Sequence, residues 1–381
     1  MAQKPYTDEQ LQQAVDAAAA HGTVVAAARF LGIPAPTMQH RHAAALIKGF
    51  TPKVQRIITP ASAPEGYKLK GTSTLYGAEG EQKLQWVKTN ADEERIAELR
   101  RAAFEAMAAD LPRLKPVAAP TASVDRFLNL YTITDAHIGM HSWSKETGVD
   151  WDLDIAERVI SGVFLQMIQS APAAHTCIVN QMSDFLHTDS LKPVTPVSGH
   201  ILDADSRYQK IVEVAVRVLR RIMAAALKKH QKVILNILDA NHDPTGATWL
   251  RVMFSALYEK EPRVKVETSP SPYVAHQHGK VMLAFHHGHC AKNQNLPLLF
   301  ASIFREIWGA TVYRYCHTGH RHHVEEKEHP GMIVIQHPTL AAPDAYSVRA
   351  GFDSKRTASS IIYDKEHGQV ARQTFVPEMV Q

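Results

Sequence analysis

Cysteine is scarce in this chain: Cys177, Cys290 and Cys316 are its whole complement in 381 residues. Their odd number, wide spacing and lack of a CxxC pair argue against a disulfide framework and against a zinc knuckle. Long apolar runs are missing too. No stretch approaches the ~18 consecutive apolar residues that read as a membrane span, so no membrane partner is expected. The opening residues MAQKPYTDEQ lack the apolar core of a secretory signal. With the unpaired cysteines, this leads to the expectation of a cytoplasmic protein. Acid is absent from one segment. Between Ala17 and Pro64 there is no Asp or Glu, while Arg29, Arg41, Lys48, Lys53 and Arg56 all fall there. The net charge of +4 is too small to argue for nucleic acid by itself, and its placement says more.

What is there is globular in character: 45% hydrophobic and 21% charged residues. The length predicts two or three domains. Histidine is abundant, at 22 residues, and many stand paired or spaced by two in the second half. Such clusters raise a metal hypothesis, although any single surface histidine is inert more often than not.

Three segments separate by rhythm. Residues 1–50 read as a small all-α domain. Thr7 and Gln10 form a capping box, Leu11, Val15 and Ala18 give one apolar face, and Gly22 closes the helix. A short helix, Thr23 to Leu31, carries Val24, Ala27, Ala28 and Leu31 inward, and a third runs from Pro36 to about Ile47 after a Gly-Ile-Pro turn. This pattern resembles a helix-turn-helix, which would place Gln39, Arg41 and Lys48 toward DNA. The competing reading is a helical unit for packing or protein contacts. Residues 51–125 hold a predicted hairpin over Tyr67–Thr89, turning at Gly-Ala-Glu-Gly, a charged helix over Ala91–Ala109, and a Pro/Ala-rich linker from Leu111 to Ser123. Residues 126–381 alternate strands with helices, predicting an α/β layered sandwich. Strands are expected at Phe127–Thr134, Thr176–Met182, Val233–Leu238, Val281–Phe285, Val312–Cys316, Met332–Ile335 and Ile361–Tyr363. Helices are expected at Leu153–Ile168, Ser206–Lys229, Thr245–Lys260 and Pro297–Trp308.

The chemistry follows the strands. Asp135 and His137, two apart at a strand end, point the same way and can share one divalent ion. Asp184 follows the next apolar run, with His187 three residues on; a carboxylate there has two oxygens and can bridge two cations. Asn241, His242 and Asp243 follow the third run, Asn offering a neutral carbonyl ligand. The fourth ends in His286, His287, Gly288 and His289, and the fifth carries His320 and His322. Each segment alone has a bland explanation. Five in one chain point to a metal centre of oxygen and imidazole ligands, suited to transition metals.

The ordered set Asp-x-His, Asp-x-x-His, Asn-His-Asp, His-Gly and Gly-His-x-His resembles the calcineurin-like metallophosphoesterase family, over roughly Leu128 to His322. Ser183 and Ala240 stand where that family usually has glycine before Asp184 and Asn241. His187, where many phosphatases carry a second Asp, is similar to the nuclease subunits of double-strand-break repair complexes. The chain also resembles phage- or prophage-encoded phosphoesterases with an N-terminal helix-turn-helix.

The resemblance implies a four-layer αββα catalytic domain over 126–381. Asp135, His137, Asp184 and His322 would surround one metal, and Asp184, Asn241, His287 and His320 the other, with Asp184 bridging. His242 would assist the leaving group, His187 would contact the scissile phosphate, and Asp243 would orient His242. The cofactors implied are two divalent ions, Mn2+ fitting best and Fe, Zn or Ni also able to bind, with a metal-bound hydroxide as nucleophile. The expected activity is hydrolysis of nucleic-acid phosphodiesters, with DNA as partner and a homo-oligomer or a phage or host protein as further possibilities. The alternatives are a phosphatase or phosphodiesterase on small molecules or phosphoproteins, and a DNA-binding regulator whose metal site is structural or decayed. Arg349, Lys355 and Arg356 are candidates for a phosphate path, with solvated surface as the plainer reading.

Overall fold

A computed structural model describes residues 5–53, 67–76, 82–91, 113–196 and 199–380. The chain divides into two compact units, Met1–Glu93 and Glu94–Gln381.

In the first unit, helix α1 (Asp8–His21) starts with the capping box expected: Thr7 Oγ1 accepts from Gln10 N, and Gln10 Oε1 accepts from Thr7 N. Gly22, at φ 75°, ends it. Helices α2 (Val24–Phe30) and α3 (Ala35–Ile47) follow. Their small core is rich in alanine, with Ala14, Ala17, Ala27, Ala28 and Met38 in one group and Leu11, Val15 and Ala45 in another. Gln39 is exposed. Arg41 lies 5.5 Å from the Tyr6 ring centroid, and Lys48 stands 3.6 Å from Asp8. Strands β1 (Tyr67–Tyr76) and β2 (Gln82–Ala91) pair antiparallel, as the hairpin reading expects. The Gly-Ala-Glu-Gly turn and most of the helix expected over Ala91–Ala109 lie outside the described residues.

The second unit runs β3 (Val124–Ile133), α4 (Ser144–Thr147), α5 (Leu153–Ser170), β4 (Ala174–Gln181), α6 (Tyr208–Lys229), β5 (Lys232–Ile237), α7 (Pro244–Leu257) and β6 (Val264–Val266). It continues with β7 (Val274–His278), β8 (Val281–Phe285), α8 (Leu296–Ile303), α9 (Arg305–Ala310), β9 (Tyr313–Thr318), β10 (Glu325–His329) and β11 (Met332–Gln336), then α10 (Ala345–Arg349), β12 (Ala358–Asp364) and β13 (Gly368–Phe375). One sheet has the order β13-β12-β3-β4-β5-β6, the other β10-β11-β9-β8-β7.

Strand alternation builds the layers. On β3, Leu128 and Leu130 face the second sheet with Ile178, Ile234, Leu283, Phe285 and Ile361, while Tyr131 and Ile133 face the helices α5, α6 and α7. On β8, Val281, Leu283 and Phe285 join the layer between the sheets, and Met282 and Ala284 turn outward to Leu296 and Phe300 of α8. The result is helix, sheet, sheet, helix, the four-layer sandwich expected. A buried polar ladder crosses the first sheet: Asn180 donates to Thr132 Oγ1 at 3.4 Å, Asn236 to Asn180 Oδ1 at 3.2 Å, and His276 Nε2 meets Asn236 Oδ1 at 2.8 Å.

Two expectations change. The helix predicted over Pro297–Trp308 is broken at Phe304, whose φ of −114° and ψ of 51° end α8 before α9 begins. The Pro/Ala segment is strapped down over its described part. Leu114 N donates to Leu257 O at 3.0 Å, Val117 N to Glu261 Oε2 at 2.7 Å, and Arg263 Nη2 to Val117 O at 2.9 Å.

Candidate metal centre

The strands β3, β4, β5, β8 and β9 run parallel within their sheets and end at one edge of the sandwich. Just past those ends come Asp135 and His137, Asp184 and His187, Asn241 and His242, His287, and His320 and His322. The loops after β3 and β4 continue the strand pairing: Asp135 N donates to Ser183 O and His137 N to Asp184 O. Every described non-glycine residue with positive φ lies here: Asp135 (50°), His137 (42°), Ser183 (88°), Asp184 (47°), His320 (69°) and His322 (58°). Left-handed backbone costs such residues of order 1 kcal/mol each, and strain gathered at one place marks a site that the surrounding fold enforces. Ser183 takes the conformation a glycine would adopt freely. Its hydroxyl compensates by sharing its one proton between the carbonyls of Leu238 (2.8 Å) and Asp239 (2.5 Å), tying the β4 and β5 loops together. Gly319 cannot be replaced so simply, because a Cβ there would lie 2.0 Å from Thr134 Oγ1 and 2.6 Å from Asp135 Oδ2.

Among the described residues three groups of side chains could each hold a cation: Asp135, His137 and His322; Asp184, His287 and His320; and His137, His187 and His242, which has no carboxylate and shares His137 with the first. Asn241 joins the second, with Oδ1 at 3.1 Å from His287 Nε2. His287 Nε2 is 3.0 Å from Asp184 Oδ2, His322 Nε2 is 3.2 Å from Asp135 Oδ1, and His137 Nε2 is 3.3 Å from His322 Nε2. Ligands sharing one cation, with bonds of about 2.1 Å, stand about 3.0–3.4 Å apart. The first two groups adjoin, His287 Nε2 lying 4.0 Å from Asp135 Oδ1. Backbone carbonyls set the rings. His287 Nδ1 donates to Met182 O at 2.9 Å, which turns Nε2, the atom that would ligate a cation, toward Asp184.

Asp135 and Asp184 are buried, and among the described residues neither meets a Lys or Arg. Buried charge needs a partner. Burial opposes ionisation of both carboxyls, but the surrounding imidazoles hold them below the usual range. Burial likewise opposes charge on His287, yet Asp184 and Asp135 raise it to about 9. His137 is pushed well down by burial and by its histidine neighbours, and His187 down to about 3 by burial and His242. Burial also opposes charge on His322, yet Asp135 raises it. Without a metal, protonated His287 and His322 meet the two carboxylates; divalent cations would displace those protons and take neutral imidazole ligands, so the donor set fits the group.

No family model matches this chain, and no curated protein does. Similar solved structures include an uncharacterised protein from Streptococcus pneumoniae described as a predicted phosphoesterase, at 8% identity over 66% of this chain and 99% of that one, TM-score 0.27. A novel archaeal phosphodiesterase gives 11% identity over 66% and 99%, TM-score 0.31. Vps29 from Entamoeba histolytica, complexed with zinc, gives 11% over 65% and 98%, TM-score 0.28. Likenesses of this strength leave the reading of the chain to its own geometry.

All seven expected ligands converge, and of the fourth motif's candidates His286, His287 and His289 it is His287 that faces Asp184. His286 instead meets Pro272 O and stacks on Tyr273. His187 is buried, its Nδ1 3.4 Å from His137 Nδ1, and its carbonyl accepts from His242 Nδ1 at 3.1 Å. Asp243 does not orient His242: its Oδ2 accepts from Leu186 N at 2.9 Å, and the His187 carbonyl holds the ring instead. Burial and the Asp184 charge push the Asp243 carboxyl well up. Beside the centre opens a cleft of about 990 Å3, whose lining includes His242, His289, Lys292, Arg321, Tyr346 and Lys355. Arg356 also borders it, but spends its guanidinium on Leu340 O, and Arg349 pairs with Glu146. The sequence reading missed Lys292 and Arg321 as cleft residues, since nothing in their local pattern marks them.

Proposed function

We propose that this chain is a metal-dependent phosphoester hydrolase and that nucleic acid is its substrate. The observation that carries the hydrolase reading is the convergence of two carboxylates, four imidazoles and one amide, from five strand ends, at ligand-to-ligand spacing. Asp135, His137 and His322, and Asp184, Asn241, His287 and His320, would hold two divalent ions, with Mn2+ favoured for a nuclease and Fe, Zn or Ni as alternatives. When bound, such ions acidify water and neutralise phosphoryl oxygens.

The chain's own residues do the rest. His242 keeps its Nδ1 proton on the His187 carbonyl, so Nε2 is the atom that exchanges a proton with the leaving oxygen. His187 fixes that ring through its backbone and borders the cleft beside His137. Lys292, Arg321 and Lys355 offer cations to flanking phosphates. The exposed Gln39 and the acid-free stretch from Ala17 to Pro64, which covers α2 and α3, support DNA as the polymer.

The test is incubation of the full chain with DNA and Mn2+, beside EDTA and Asp184→Asn controls. Cleavage by the metal-loaded wild type alone is expected. Intact DNA alongside rapid turnover of a nitrophenyl phosphate ester would replace the nuclease reading with a small-molecule phosphatase.

A further inference from the structure

The cleft is far larger than a phosphoryl group requires, standing at the upper end of sites that take whole organic ligands. Part of its wall is apolar and outward. Tyr346 and Phe352 both line it, and they are 72% and 62% exposed, among the most exposed large apolar side chains of the second unit. Exposing two aromatic rings forgoes the gain from burying them, so their position needs a reason.

The segment that bears them is firmly built. Asp344 caps α10, its Oδ1 accepting from Ser347 N at 2.8 Å. At the other end Gly351, at φ 75°, turns the chain back, and Phe352 N donates to Ser347 O at 2.9 Å. This double bond pattern, with Gly351 N also reaching Val348 O, fixes the residue after the turn against the helix. Arg349 pairs with Glu146 at the surface, at 2.7 Å. Tyr346 is therefore held at the cleft on a short, capped helix, and Phe352 on the turn bonded back to it. Cations share the same lining: Lys355 comes three residues after Phe352, with Lys292 and Arg321 also present. Aromatic faces combined with cations that follow a phosphate backbone form the recognition pattern of unpaired nucleic-acid strands, because each base has a face to stack and each linkage a charge to meet.

We propose that Tyr346 and Phe352 form a base-stacking subsite, so that the metal centre acts on unpaired strands in preference to duplex. This rests on the nucleic-acid reading above and adds the strand state and the residues that select it. Paired bases are already stacked on each other and present no free face, so a duplex gains nothing from the two rings.

The experiment compares kcat/KM of the full-length, Mn2+-loaded protein on three substrates of equal length: an oligodeoxythymidylate, the same strand in a duplex, and an abasic phosphodiester strand. The expected result is a preference of at least about tenfold for the unpaired strand over both others, the scale of one stacked base. In the Tyr346→Ala/Phe352→Ala variant the ratio of base-bearing to abasic rate falls toward one, and Tyr346→Trp/Phe352→Trp restores it. Strands cleaved at rates indifferent to bases, or a variant that lowers both rates equally, would overturn the subsite alone. No strand cleaved while a nitrophenyl phosphate ester turns over would overturn the nucleic-acid reading and the subsite with it.

Discussion

At Ser183 the chain holds a non-glycine residue at φ 88° and offsets the strain with bifurcated hydroxyl bonds to carbonyls of the neighbouring loop. The bonds and the strain can be separated. Ser183→Ala keeps the strained backbone and loses the bonds, so it should cost about 1–2 kcal/mol in urea unfolding. Ser183→Gly relieves the strain as it loses the bonds and should cost clearly less; a glycine variant weaker than the alanine one would contradict this account. The ligands themselves were legible as residues because each follows an apolar run, and strand ends are where side chains leave the sheet for the crevice. What holds them was not legible. Met182 O and His187 O fix the rings of His287 and His242, and a carbonyl acceptor has no sequence signature. Asp243 was misread for that reason: its neighbour His242 suggested a partner, while the chain turns the carboxylate to Leu186 N.

Among the elements, the central strands β3, β4, β5, β8 and β9 follow their sequence signals closely, because each carries buried apolar residues at its centre, most continuously in the VMLAF of β8. The strands that escaped notice are at or near sheet edges. β13 reads GQVARQTF and β10 reads EEKEH, and with one face in solvent neither shows an apolar run. β6 is only three residues long. The polar ladder of Thr132, Asn180 and Asn236 is also an element-scale feature, arising where strand register sets the three side by side. Asn180→Ala would strand the Asn236 amide in the buried layer. It should lower unfolding free energy by about 1–3 kcal/mol in urea titration. A loss within error of zero would mean that the ladder is not maintained in solution.

For the molecule as a whole, the histidine content sets its response to acid. Outside the proposed ligands, burial pushes His230 and His276 down to about 4 and His337 to about 3, and His317 well below its usual range. These folded-state values lie below the ordinary 6.5, so the unfolded chain takes up protons first. The stability they contribute is fully present above pH 6.5 and is lost as pH falls through about 4, each group adding a slope of ~1.4 kcal/mol per pH unit within that window. Thermal melts from pH 7 to pH 4 should show a steep fall in Tm, and a flat profile would contradict it. The central claim concerns the cations, because among the described residues the buried pair Asp135 and Asp184 is met by no Lys or Arg, only by His287 and His322, whose protons a divalent ion would displace. Elemental analysis of the Mn2+-loaded full chain, beside its Asp184→Asn variant, tests this most directly. The account predicts two divalent ions per wild-type chain and at least one lost in the variant. Wild-type protein without metal, or a variant that binds as much as wild type, would contradict it.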